Sequence, residues 1–546
     1  MNIIDQLHTA FFSFLDQHFA ITTHILGITF DLNVDLQKKQ FGDISSNAAL
    51  ILAKQQEKNA RELATEIANQ FTHAYLERIE VAGPGFINFF LTPEAYRLLL
   101  IDMYEYPQKS FASDLKKERY SVEFVSANPT GPLHLGHGRG GIIGDVLGNI
   151  LSFLGHQVTK EYYINDAGSQ IQKLGNSLKI RCQQALGIDV ALPEDGYQGE
   201  YLKDLAIQCI KEYGKDLLEK PNSFFAEYAK NYLLEQIKKT LETYAISFNL
   251  WFSEKTLHED GSIERTLQIL IDHGFTYQLD DALWFTSTQF GDDKDRVLRK
   301  TNGELTYIAA DVAYTKNKFD RVDRAILILG QDHHSYVVRL KGITQALGYN
   351  PDNLEVILYQ LITLNEQGEQ LRMSKRAGTM VTLKEIIETV GTDVARFFFL
   401  NRKADAHLDF DLSLALKKTE ENPVYYIQYA YVRTKSILQK AQEKEELSDI
   451  NKNDVIAINI QEHLLLRKII SLKNLLRSIN NNYQTHLLTY YVLELAQTFH
   501  AYYSKNRVID MSNIAQSRAR LLLINVLKNT FELCLDLLGL SKPEKM

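Results

Sequence analysis

The sequence predicts an α/β fold built on a parallel sheet, with a small α+β segment before the sheet and an all-helical segment after it. Three observations predict it. From Tyr120 to Ile164 the pattern reads strand, glycine-rich loop, helix, strand, the unit that sets two parallel strands beside a crossover helix. Two later apolar stretches, Ala325 to Leu329 and Leu354 to Tyr359, have the length and side-chain types of further buried strands. From about Asp411 onward the apolar residues fall into long Leu/Ile stripes at helical spacing.

Taken in order, residues 1 to about 110 alternate short helical and strand patterns. The turn Ala82-Gly83-Pro84-Gly85 precedes the alternating stretch Phe86 to Leu91, which reads as a strand. A charged joint, Asp114 to Arg119, leads into a strand from Tyr120 to Val125. That strand ends in the turn-rich loop Ser126-Ala127-Asn128-Pro129-Thr130-Gly131-Pro132. A helix follows from about Leu135 to Leu154, and Gln157 to Ile164 resumes as a strand. Residues 177–285 are charged and mainly helical, which reads as an insertion into the sheet domain. The expected domains are therefore 1–112, 113–410 and 411–546. No tandem repeat or extended low-complexity segment is present.

Composition excludes several classes. The chain has 546 residues, 45% apolar and 23% charged, enough for several domains whose cores need no disulfides. Its three cysteines, Cys182, Cys209 and Cys534, lie far apart without a CxxC pair, which argues against a zinc site and suits a reducing compartment. Asp5 and Asp16 interrupt the first apolar stretch, unlike a secretory signal. No later stretch approaches the roughly 20 apolar residues that cross a bilayer. A cytoplasmic protein with no membrane partner is expected. The net charge of −8 is unevenly spread: Val424 to Met546 carries sixteen Lys/Arg against eleven Asp/Glu, or +5, so the preceding 423 residues carry −13. That asymmetry permits phosphate binding by the helical end of a chain that is acidic overall.

The most informative stretch is Gly131-Pro132-Leu133-His134-Leu135-Gly136-His137-Gly138-Arg139-Gly140-Gly141. It places two histidines three residues apart at a helix start, on one face of the first turn. Backbone N–H groups and the helix dipole favour phosphate there, and Gly136 and Gly140 let a ring or phosphate approach the backbone. Histidines so placed stabilise developing charge on phosphoryl oxygens and do not attack them. Other glycine motifs fail: no GxxxxGK[ST] exists, and Gly138, Gly140 and Gly144 miss the GxGxxG spacing by one residue. A second stretch, Arg372-Met373-Ser374-Lys375-Arg376-Ala377-Gly378, is a basic, glycine-ended loop whose lysine suits closure over a polyphosphate. Either stretch alone also fits a solvated surface loop.

Together they resemble the paired HIGH and KMSKS signatures of class I aminoacyl-tRNA synthetases. These appear here as His134-Leu135-Gly136-His137 and Arg372-Met373-Ser374-Lys375-Arg376, the second in an MSKR form with arginine at both ends. Further stretches resemble the arginyl-tRNA synthetase family in particular: Val122 to Gly131 before HIGH, Glu161-Tyr162-Tyr163-Ile164-Asn165-Asp166-Ala167-Gly168 after it, and Asn422-Pro423-Val424-Tyr425-Tyr426-Ile427-Gln428-Tyr429-Ala430. Phe41-Gly42-Asp43-Ile44-Ser45-Ser46-Asn47 and Val81 to Phe86 resemble that family's N-terminal domain, so the resemblance runs nearly end to end.

The resemblance implies a Rossmann-like catalytic domain, a tRNA-binding N-terminal domain and a helical anticodon-binding domain. It implies a monomeric ligase that activates L-arginine with ATP and Mg²⁺, transfers it to tRNA-Arg, and requires bound tRNA before activation. His134, His137 and Lys375 would be catalytic, with Gly136, Gly140, Met373 and Ser374 also at ATP. A guanidinium is planar, permanently charged and rich in donors, so its pocket needs carboxylates and neutral acceptors. Tyr307 and Asp311, four apart, share a face if their segment is helical. The resemblance puts Glu123, Tyr307, Asp311 and Gln331 around the guanidinium and Ser126 and Asn128 at the α-amino end. It also implies anticodon contacts at Tyr426, Ala430, Tyr503 and Met546. A class I synthetase for another amino acid would leave Glu123 and Asp311 as buried, unpaired carboxylates. A smaller HxGH nucleotidyltransferase has no use for the helical C-terminal domain. A silent RNA-binding paralogue should have lost His134, His137 or Lys375, and all three are present.

Overall fold

The computed structural model describes residues 3–19, 27–33, 41–112, 115–370 and 381–546, so the KMSKS-like stretch, with Met373, Ser374 and Lys375, lies outside the described residues. The described chain divides into two compact units, one of residues 115–417 and one of residues 1–114 with 418–546.

The 115–417 unit carries five parallel strands in the spatial order Leu354–Tyr359, Arg324–Gly330, Arg119–Glu123, Gln157–Ile164, Leu250–Ser253. Its inner strands bury Tyr120, Val122, Ala325, Ile326 and Ile328, and also the polar Ser121, Glu123 and Glu161, in a sheet covered on both faces. The chain enters at the central strand, Arg119–Glu123, builds to one side and then returns to build on the other. The order therefore reverses between Glu123 and its neighbour Leu327, and at such a switch point the loops diverge and leave a crevice. The crossover helix Leu135–Phe153 lies hard against the sheet because its packed face is glycine. A Cβ on Gly144 would sit 2.2 Å from Phe124 Cγ, and one on Gly148 would sit 2.6 Å from Lys160 Cε. Beneath it, Asp145 accepts from Lys160 and from the fully buried Arg396, each at 2.6 Å.

The expected helical insertion at 177–285 needs correction. Helices Ser169–Ala185, Tyr201–Tyr213 and Asn222–Thr243 pack around Leu174, Cys182, Leu205, Cys209 and Phe225, but Leu250–Ser253 is an edge strand of the parallel sheet itself. A three-stranded antiparallel sheet, Thr276–Leu279, Ala282–Phe285 and Arg296–Arg299, then precedes the helix Tyr307–Arg321.

In the other unit, a sheet ordered Asp31–Leu32, Ile44–Ser46, Phe86–Leu91, Leu76–Ala82 is entirely antiparallel, and the helix Ile3–Phe19 buries Leu7, Phe11 and Leu15 in that part. The C-terminal part is helical, chiefly Pro423–Gln442, Ile460–Ile470, Leu472–Asn482, His486–Tyr503 and Ile514–Leu538. Asp43 joins the two parts, accepting from Leu91 N–H at 2.7 Å, Tyr96 hydroxyl at 2.5 Å and Arg467 at 3.0 Å. Beside it, the Tyr96 ring stacks on His463 with centroids 3.9 Å apart, and Asp5 holds Lys473 and Arg477. Among the described residues no helix is long and apolar enough to cross a membrane.

Candidate active site

At the switch point of the parallel sheet lies a cavity of about 440 Å³, lined among others by Glu123, Ser126, Asn128, His134, His137 and Asp311. Its floor begins where the central strand ends in an unusual elbow. Val125 has φ 67° and Ser126 φ 39°, both left-handed, and a β-branched residue there is a strained one that its surroundings must hold. The Ser126 hydroxyl does the holding: it donates to Glu123 Oε1 at 3.1 Å and accepts from Tyr163 N–H at 3.1 Å. Farther along the loop, Asn128 donates to Gln170 Oε1 at 2.9 Å, and the Tyr201 hydroxyl donates to Thr130 O at 2.5 Å.

The loop delivers His134 as the N-cap of the glycine-rich helix. His134 Nδ1 accepts from Gly136 N–H at 3.1 Å, and His137 Nδ1 accepts from His134 N–H at 3.3 Å, a reciprocal capping box. The two rings stack with centroids 3.6 Å apart. With each Nδ1 accepting, a neutral ring carries its proton on Nε2 and is a donor there. The histidines thus use some of the helix-start N–H groups expected to serve a phosphate. Thr382 bridges His134 and Leu383 N–H donates to Leu133 O at 2.9 Å, so the segment that follows the KMSKS-like stretch is stitched to the start of the histidine helix. Gly136 has its would-be Cβ position 3.0 Å from His134 Cε1. Gly140 is buried against Tyr359, 2.6 Å from a would-be Cβ, so its bareness serves helix packing. Next to it Arg139, fully buried, donates to Gln360 O at 2.7 Å and Lys403 O at 2.9 Å, and burial lowers its pKa to about 10.

The helix Tyr307–Arg321 turns Asp311, Tyr314, Thr315 and Lys318 toward the cavity, residues spaced for one helical face. Lys318 is ion-paired with Glu123 Oε2, and the two side chains are 3% and 8% exposed. Asp311 has no such cation: its Oδ2 is enclosed and accepts no hydrogen bond. Burial first, then the nearby Glu254 and Glu123, push its carboxyl up to about 7, with Arg339 opposing. Burial also raises Glu254, which is 4% exposed, with His258 Nε2 at 3.6 Å from its Oε1. Asn165, with its amide turned to donate, reaches Glu254 Oε2 and Ala167 O at 3.2 Å.

Of the expected residues the cavity brings together Glu123, Ser126, Asn128, His134, His137 and Asp311, and does not include Tyr307 or Gln331 in its lining. Tyr307 shares the helix with Asp311 but is 55% exposed at its first turn. Gln331 opens a single 3₁₀ turn, and its successors Asp332 and His333 line the cavity instead. Lys318, Tyr163, Asn165 and Glu254 were not foreseen. For Lys318 a signal existed, since it lies seven residues beyond Asp311 on the same predicted helix face.

The helical C-terminal part holds a groove of about 990 Å³, lined by Tyr429, Arg433, Lys440, Lys505, Tyr503 and Met546 among others. Arg433 lies over the Tyr429 and Tyr503 rings at 4.5 and 5.2 Å. Of the four residues expected at the anticodon, Tyr503 and Met546 line this groove. Tyr426 packs on His500 with centroids 4.8 Å apart, and Ala430 is buried.

Three family descriptions match the chain: "tRNA synthetases class I (R), catalytic domain" over residues 105–406, "DALR anticodon binding domain" over 427–546 and "Arginyl tRNA synthetase N terminal domain" over 13–91. An arginine–tRNA ligase from Carboxydothermus hydrogenoformans is 41% identical over 539 residues, covering 96% of this chain and 97% of that protein. A solved structure described as a putative arginyl tRNA synthetase from Campylobacter jejuni is 34% identical with TM-score 0.77, covering 84% of this chain and 100% of that one. The arginyl-tRNA synthetase structure of Thermus thermophilus, 19% identical with TM-score 0.77 and full coverage of both chains, shares the fold.

Proposed function

The chain belongs to the arginyl-tRNA synthetase family, and from that premise we propose which of its residues carry the reaction and how. It is a class I arginine–tRNA ligase: it activates arginine with ATP to arginyl-adenylate and transfers the arginyl group to the 3′-terminal adenosine of tRNA-Arg. The observation that carries our assignment of the amino-acid site is Asp311, whose enclosed Oδ2 has no partner and whose pKa stands at about 7 beside Glu254. A buried carboxyl raised further by a neighbouring carboxylate needs a cation, and a guanidinium supplies one with several donors in a plane. Ser126 and Asn128, on the loop between that pocket and the histidines, take the α-amino end. Tyr307 and Gln331 would close on the guanidinium from the rim.

The arginine carboxylate attacks the α-phosphate in line and pyrophosphate leaves. His134 and His137 offer Nε2–H donors to the phosphate oxygens as charge develops, and Lys375 follows the departing pyrophosphate. Gly136, Met373 and Ser374 complete the ATP contacts, and Gly140 lets Tyr359 and the helix close behind them. Mg²⁺ belongs to this reading as ATP's companion: among the described residues no three His, Cys, Asp or Glu side chains cluster as metal ligands, so the phosphates themselves would carry it. The adenosine 2′-hydroxyl then attacks the adenylate. Tyr503 and Met546, with Tyr426 and Ala430 behind them, form the anticodon-facing part of the basic groove, where aromatic and cationic side chains suit unpaired bases. We also read the three domains as 1–112, 113–410 and 411–546, and the working enzyme as a cytoplasmic monomer.

ATP–pyrophosphate exchange with arginine, run with and without tRNA-Arg, tests the reading, together with Asp311→Asn. Exchange that requires tRNA and a steep rise in the arginine KM of the variant support it. Exchange in the variant with an unchanged arginine KM would remove Asp311 from the site.

A further inference from the structure

The helices Ser169–Ala185, Tyr201–Tyr213 and Asn222–Thr243 have an apolar core of their own, yet two of their side chains reach the loop that leads to the histidines. Gln170, in the first turn of the first helix, accepts from the Asn128 amide at 2.9 Å. With its nitrogen held there, Asn128 keeps its Oδ1 as an acceptor, which is what an α-ammonium needs. Tyr201 opens the second helix, and its hydroxyl donates to Thr130 O at 2.5 Å. Burial holds that phenol above its ordinary pKa, so it stays a donor.

The irregular segment from Pro193 to Glu200 is built to put that hydroxyl in place. Gly196 N–H donates to Pro193 O at 3.0 Å, Tyr197 N–H to Ser177 Oγ at 3.0 Å, and Arg181 to Gln198 O at 3.1 Å, which pins the segment to the helix Ser169–Ala185. Residue 199 has to be bare because the Tyr201 ring lies on it: a Cβ there would sit 2.2 Å from Tyr201 Cε1. On the receiving side, Thr130 N–H donates to Asn128 O at 2.7 Å, so the carbonyl that Tyr201 grips belongs to the residue closing a turn on Asn128. The histidines have a separate anchor, since Leu383 N–H holds Leu133 O and Thr382 bridges His134. Losing the Tyr201 hydroxyl therefore frees Asn128 and leaves the histidines where they are.

We propose that Tyr201 is a positioning residue for the amino-acid substrate: its hydroxyl fixes the Thr130 carbonyl and, through that turn, the Asn128 side chain that meets the α-ammonium of arginine. This deepens the reading that places Asn128 at the α-amino end, and rests on it. It makes the helical insertion part of what shapes the site.

Aminoacylation of tRNA-Arg by the full-length protein, with arginine and ATP varied in turn, decides it. Tyr201→Phe deletes one hydroxyl and keeps the ring on Gly199, so the arginine KM should rise about fivefold, the worth of one hydrogen bond, while the ATP KM holds. Tyr228→Phe is the control: it deletes another hydroxyl of the same helices, one bonded to Glu212 at 3.0 Å, and should leave the arginine KM unchanged. An arginine KM untouched in Tyr201→Phe, or raised as much in Tyr228→Phe, would overturn the proposal. Asn128→Ala separates the two levels. It should raise the arginine KM about tenfold or more, and adding Tyr201→Phe to it should cost less than about twofold further, because the route is already broken. A second fivefold loss in that double variant would mean that Tyr201 acts elsewhere, and would overturn the proposal while Asn128 keeps its place. If Asn128→Ala leaves the arginine KM untouched, the placement of Asn128 falls and takes this inference with it.

Discussion

Asp43 and Asp311 both turn a carboxylate away from water, one in each compact unit, and their surroundings treat them oppositely. Asp43 is satisfied by a backbone N–H, a tyrosine hydroxyl and Arg467, three donors drawn from both the N-terminal and the helical parts. Asp311 faces other carboxylates, and its Oδ2 has no donor at all. The difference teaches how to tell a structural charge from a functional one here. A saturated carboxylate holds the chain to itself, and a buried one left open is held for a ligand.

Exchanging the two residues for uncharged ones should sharpen that contrast. Asp311→Asn loses a charge-assisted contact made only with substrate, and arginine kcat/KM should fall by about a thousandfold. Its melting temperature should stay level or rise, because a costly buried charge is gone. Asp43→Ala should do the reverse, leaving Arg467 uncompensated at a cost of about 3 kcal/mol in urea unfolding with the arginine KM unchanged. Equal loss of stability in both variants would break the comparison.

A pH series sharpens it further. In the free enzyme Asp311 titrates near 7, so at lower pH arginine must displace its proton. The arginine KM should climb about tenfold for each pH unit below 7, and the climb should vanish in Asp311→Asn. The sign for stability is opposite. A carboxyl raised in the folded state gives its stabilisation at acid pH and loses it as pH rises from its ordinary value toward 7. Arginine reverses that loss, so its effect on the melting temperature should be larger at pH 8 than at pH 6. The smallest effect is expected in the groove of the other unit. Lys505→Ala should weaken tRNA-Arg binding about threefold and lower the salt slope by about one, leaving arginine KM unchanged.

Much of the parallel sheet was legible because its strands announce themselves: Gln157–Ile164 and Leu354–Tyr359 are found at the bounds their apolar patterns indicate. Leu250–Ser253 was not, since four residues between helices are too few to show a period. The antiparallel strands Thr276–Leu279 and Ala282–Phe285 are equally short and fall within the stretch read as helical. At the site, the histidine pair could be named because glycine density at a helix start marks it, and Asp311 because the family resemblance implies it. That Glu123 is already occupied could not be, because its cation lies 195 residues away in sequence. Asp43 and Arg467, 424 residues apart, pose the same difficulty, as local pattern does not encode a distant partner.

The helix that begins at His134 has a consequence for motion. Of its residues from Leu135 to Leu151 nearly all are buried, its glycines touch the sheet, and Arg139 and Asp145 tie it to Gln360, Lys403, Lys160 and Arg396. A segment bound on so many sides has no partial opening available to it, so its amide protons should exchange with deuterium only when the whole unit unfolds. The histidines therefore stand at the edge of the slowest-breathing part of the molecule, and the timing of catalysis has to be set by segments other than the one that bears them.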